Sequence, residues 1–77
     1  MKTEKLVRMA NQIAGFFSHE GPERGAASVA DHLQKFWDPR MRAEIAAAVA
    51  SGSATGLDPL ALDAVRQIAG PGANRAP

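Results

Sequence analysis

The sequence predicts a small all-α domain of three to four short helices. Alanine is its commonest residue and β-branched residues are few, which favours helix over strand along the whole chain. Apolar residues recur at helical spacing in successive segments, and Gly-Pro and Asp-Pro pairs punctuate them. A chain of 77 residues is one domain. The expected division is a helical unit over 1–69 and a disordered tail over 70–77, where no apolar periodicity survives.

The first helix is expected near 4–18. Leu6, Met9, Ala10, Ile13, Phe16 and Phe17 follow one face of an amphipathic helix, Thr3 suits the N-cap, and Glu4 stands four residues before Arg8 in the favourable order for an ion pair. Gly21-Pro22 then breaks the chain. A second helix, near 24–37, repeats the first: Ala26, Val29, Ala30, Leu33, Phe36 and Trp37 each lie 20 residues after their counterparts. Common helical period accounts for this match as readily as duplication does. The two stripes are shaped to face each other as an N-terminal αα-hairpin.

A third helix, near 39–50, is opened by Asp38 as N-cap and Pro39 as first residue, where a fixed φ and a missing N–H cost nothing. Met41, Ile45, Ala48 and Val49 share one face; Ala43, Ala47 and Ala50 lie opposite. The second set is either plain helix-forming alanine or a small-residue face that lets the helix lie close against two surfaces at once. Gly52 suits the left-handed residue after the helix, within a flexible connection from Ser51 to Gly56. The fourth helix, near 59–69, repeats the Asp-Pro device at Asp58-Pro59. It carries Leu57, Ala61, Val65 and Ile68 as its stripe and ends at Gly70-Pro71.

Composition excludes several functions. There is no cysteine, hence no disulfide, no thiolate metal site and no cysteine nucleophile. Nine Lys and Arg face eight Asp and Glu, for a net charge of +1, and they are scattered without the basic patch of a nucleic-acid binder. No apolar run reaches the roughly 18 residues of a membrane span, and no signal-peptide core follows Met1. A soluble, intracellular chain is expected. His19 and His32 are not spaced as metal ligands, Ser53 sits in no nucleophile elbow, and no phosphate-loop motif occurs. So short a chain buries only about 60–65% of its unfolded surface, which leaves it marginal without a helper. With disulfides and metal excluded, a partner is the helper that remains.

The candidate binding residues lie in one block: His32, Phe36, Trp37, Asp38, Pro39, Arg40 and Arg42. Asp38-Pro39 makes a rigid corner that fixes Trp37 relative to Arg40, and Trp and Arg are frequent interface anchors. Each residue also has a plainer reading. Trp37 fills a small core as readily as it anchors an interface, and its indole N–H needs an acceptor either way. His32, four residues before Phe36, either lines the edge of the stripe against that ring or makes a polar contact with a partner. Arg40 and Arg42 either pair with Glu44 and Asp38 on their own helix or, being set against the macrodipole at a helix start, serve a partner's carboxylates.

The run Lys5-Leu6-Val7-Arg8-Met9-Ala10-Asn11-Gln12-Ile13-Ala14 with Phe16-Phe17, and then His32-x-x-x-Phe36-Trp37-Asp38-Pro39-Arg40-Met41-Arg42, resembles the delta subunit of NAD-dependent, molybdenum- or tungsten-containing formate dehydrogenases. The likeness covers about Lys5 to Val65. It implies a non-catalytic accessory subunit of a cytoplasmic complex, bound to the large molybdenum-bearing subunit and serving assembly or stability. It implies further that molybdopterin guanine dinucleotide, iron–sulfur clusters, FMN and NAD sit on other subunits and that this chain holds no cofactor, metal or catalytic residue. Membrane and nucleic-acid partners are not expected. The alternatives left by the residues are a small helical regulatory or nucleic-acid-binding protein and a stand-alone homodimer.

Overall fold

The computed structural model describes residues 2–69, and the tail expected over 70–77 lies outside them. Among the described residues there are four α-helices and no strand: α1 (Thr3–Phe17), α2 (Pro22–Phe36), α3 (Pro39–Ser51) and α4 (Pro59–Ala69). A single 3-10 turn, Ser18–Glu20, joins α1 to α2.

Two helix starts differ from the sequence reading. Lys2, not Thr3, holds the cap position of α1, with no side-chain bond. Thr3 is the first helical residue, and its Oγ1 donates to Glu44 Oε2 at 3.3 Å, tying α1 to α3. α2 begins at Pro22 rather than near residue 24, because Gly21 takes φ +91° and feeds the proline directly into the first helical position. Ser28 Oγ then donates to Glu20 Oε1 at 2.6 Å, which fastens the 3-10 turn to α2.

The core joins all four helices. Leu6, Val29, Leu33, Ile45 and Val65 are its largest fully buried side chains, and no charged or polar side chain is buried among the described residues. α1 and α2 are in contact, but α2 lies closest along α4. The reason is the small residues where they meet. A methyl group on Gly25 would stand 2.9 Å from the Phe17 carbonyl oxygen and 3.1 Å from both Leu60 δ-methyls. Ala61 and Ala64 on α4 are fully buried.

The stripes run differently from the expected ones at their aromatic ends. α1 buries Leu6, Val7, Ala10 and Ala14, a face turned away from Phe16, which is 77% exposed. In α2 the helix ends before Trp37, whose extended backbone (φ −90°, ψ 137°) turns the indole inward to 5% exposure. Trp37 takes the buried place in the core, and Phe36 is 70% exposed. On α3, Ala43, Ala47 and Ala50 face solvent in this chain.

The connection from α3 to α4, expected as a flexible link, is hydrogen-bonded at both ends. Gly52, left-handed at φ 79°, caps α3, and the N–H groups of Ser53 and Ala54 both return to the Ala48 carbonyl. Asn11 on α1 clamps the far side: its Nδ2 donates to the Gly56 carbonyl at 2.9 Å, and its Oδ1 accepts from the Asp58 N–H at 2.7 Å. Asp58 Oδ1 accepts in turn from the Leu60 N–H at 2.9 Å, opening α4.

Two glycine substitutions test this packing with opposite signs. Gly25→Ala should destabilise by about 1–3 kcal/mol, because the backbone carbonyl at 2.9 Å cannot yield as a side chain can. Gly15, exposed within α1 and with nothing near its Cβ position, should instead gain about 0.5–1 kcal/mol as alanine. Thermal melts of the two variants decide the point. A Gly25→Ala protein as stable as the parent would refute the close approach.

Candidate partner-binding corner

The turn between α2 and α3 places the seven sequence-selected residues on both sides of one backbone corner. The Trp37 N–H closes α2 on the Leu33 carbonyl at 3.0 Å, so the chain leaves the helix at a defined residue. Asp38 then caps α3: its Oδ1 accepts from the Met41 N–H at 2.9 Å, and its backbone carbonyl accepts from the Arg42 N–H at 3.1 Å. Pro39 holds the first helical position. Carboxylate and proline together fix the corner as expected.

Inside the corner sits Trp37, packed in the hydrophobic core with Leu33 and Ile45. Its indole N–H makes no hydrogen bond to another described residue. Outside it stand Phe36, Asp38, Pro39 and Arg40, all exposed. His32 is half-buried, its ring 4.6 Å from that of Phe36 and 6.4 Å from that of Phe17. The expected contact along α2 is present, and it props the exposed Phe36 ring against the helix.

The arginines are less tied down than their own helix would allow. Asp31 and Lys35 at 3.1 Å form the one ion pair among the described residues. Neither Asp38–Arg42 nor Arg40–Glu44 closes to salt-bridge distance, and Glu4–Arg8 does not either. Asp38 is engaged by the α3 backbone and Glu44 by Thr3. Arg42 makes one long bond, Nη1 to the Gln34 carbonyl at 3.4 Å. Arg40 pairs with no carboxylate among the described residues. Both cations stand at the start of α3, where the helix dipole disfavours them.

Among the described residues no three His, Asp or Glu side chains gather as metal ligands, and no helix is long and apolar enough to cross a membrane. Asn11 is the functional-looking residue that periodicity missed. Its one sequence signal is a poor helix former placed in mid-helix.

A family model described as the NADH-dependent formate dehydrogenase delta subunit, FdsD, matches residues 5–65. The chain belongs to this family. No curated protein and no solved structure gives a match. For this delta-subunit chain the matched stretch runs from the first turn of α1 to Val65 in α4, so it takes in the whole corner and the Asn11 clamp.

The cap should carry measurable weight. Asp38→Ala is expected to cost about 1 kcal/mol, a typical loss for an N-cap carboxylate, and to lower the melting temperature by about 4–8 °C in a domain of this size. Far-UV circular dichroism melts check this. No shift would mean that Pro39 alone sets the corner.

Proposed function

We propose that the chain is a non-catalytic accessory subunit that docks on the large molybdenum-bearing subunit of a cytoplasmic formate dehydrogenase and helps assemble or stabilise that complex. The molybdopterin guanine dinucleotide, iron–sulfur clusters, FMN and NAD site belong, in this reading, to other subunits. Membership of the delta-subunit family carries the proposal. The corner supports it locally, since it exposes an aromatic ring beside two arginines without carboxylate partners among the described residues. Docking would bury Phe36 and give Arg40 and Arg42 counter-charges in a drier setting, where charged hydrogen bonds are stronger. The family match also weighs against a free-standing regulatory protein or homodimer.

The test is co-purification of the Arg40→Ala, Arg42→Ala double variant with the large subunit. Its helical content should match the parent, since Arg40 is exposed, Arg42 is half-buried with one long hydrogen bond, and surface substitutions usually change stability by less than about 0.5 kcal/mol. Recovery of the complex should fall at least tenfold, because truncating one member of a desolvated charge pair commonly costs about 2–5 kcal/mol. Full recovery with unchanged formate oxidation would remove the arginines from the interface. Failure of the parent chain to bind any formate dehydrogenase subunit would end the reading altogether.

A further inference from the structure

Beside the corner, α2, α3 and α4 converge on a shallow groove of about 270 Å³, lined by Gln34, Pro39, Arg42, Ala43, Ala46 and Ile68. Its floor is apolar, since Ala46 and Ile68 pack on the core cluster. Among the described residues Arg42 is the one charged side chain that lines it, its guanidinium held by the long bond to the Gln34 carbonyl. A volume of about 150 Å³ suffices for a benzene-sized apolar group, so the groove admits one large hydrophobic side chain.

We infer that this groove is the seat for a hydrophobic side chain of the large formate dehydrogenase subunit, borne on a segment whose neighbouring carboxylate pairs with Arg42. This rests on the accessory-subunit reading and specifies the contact within it. Charge complementarity selects the occupant. Neither neighbouring carboxylate of α3 pairs directly with an arginine: Asp38 accepts from the Met41 N–H and Glu44 from the Thr3 hydroxyl. Arg42, which pairs with no carboxylate among the described residues, therefore presents positive charge beside an apolar floor, and an acidic segment with a bulky apolar residue satisfies both. The alanines suit this role. Ala43 keeps one wall low, whereas a longer side chain there would fill the groove from within the chain.

Filling the groove is the experiment. Ala43→Phe puts a ring into it from an exposed helix position, and Ala47→Phe puts the same ring on an exposed position of α3 outside it. Both chains are titrated against the purified large subunit, with circular dichroism melts confirming their folds. Ala43→Phe should weaken binding at least tenfold and Ala47→Phe less than twofold. Arg42→Gln, similar in length but uncharged, should also lose about tenfold and bind with less dependence on salt. Equal binding by Ala43→Phe and the parent would overturn the groove assignment while leaving the subunit reading intact. Absence of binding by the parent chain itself would overturn both. A concentration-dependent dimer of the isolated chain, abolished by Ala43→Phe, would assign the groove to a second copy and overturn the inference. So would a chain ending at Ala69 that binds the large subunit tenfold more tightly, since residues 70–77 would then be the occupant.

Discussion

The fold depends on how closely α2 can approach the end of α1 and the start of α4. At Gly25 the backbone passes within a methyl's reach of the Phe17 carbonyl and the Leu60 side chain. The two helices share one core cluster in which small side chains are prominent: Val29 and Ala30 from α2, Ala61, Ala64 and Val65 from α4. Large side chains would hold the helices apart, and so short a chain has no other core to draw on. The remaining aliphatic residues, Leu6, Leu33 and Ile45, pack around this close approach. Small residues here do the work that bulk does in larger proteins, because dispersion contacts depend on near-touching surfaces.

Close packing of short helices also makes their ends expensive, and the chain meets that cost with side-chain oxygens. Asp38 caps α3 and Asp58 caps α4, each through its carboxylate. Asn11 accepts and donates at once across the α3–α4 connection, so a polar residue of the first helix orders the entry to the last. The fourth helix is therefore docked by hydrogen bonds at one end and by buried alanines along its length. Thr3 and Glu44 add a similar tie between α1 and α3.

The corner at Trp37–Pro39 separates two roles that adjacent aromatic residues could have shared. Trp37 belongs to the core and holds the turn from inside; Phe36, one residue earlier, is left in solvent against His32. Phe36 and Phe16 are the large apolar side chains left exposed among the described residues, and exposed aromatic rings are enriched where proteins meet partners. The unneutralised arginines at the start of α3 point the same way. In the accessory-subunit reading, association would complete these groups.

The sequence by itself determined the all-α class, the two Asp-Pro helix starts, the left-handed Gly52, and the His32–Phe36 contact. All of these follow from local chemistry: φ restriction at proline, a short carboxylate at a cap, and the spacing of one helix turn. Tertiary structure alone decided which neighbouring aromatic enters the core. Phe16 and Phe36 fit the apolar period as well as their neighbours, yet periodicity cannot say how far a stripe rotates or where a helix ends. It decided too that Gly25 is a contact and Gly15 merely a gap, that Asn11 orders a loop beyond residue 50, and that Glu44 serves the Thr3 hydroxyl rather than the arginine four residues away. Each of these turns on groups distant in sequence competing for the same space or the same hydrogen bond, and that competition exists only once the helices are packed.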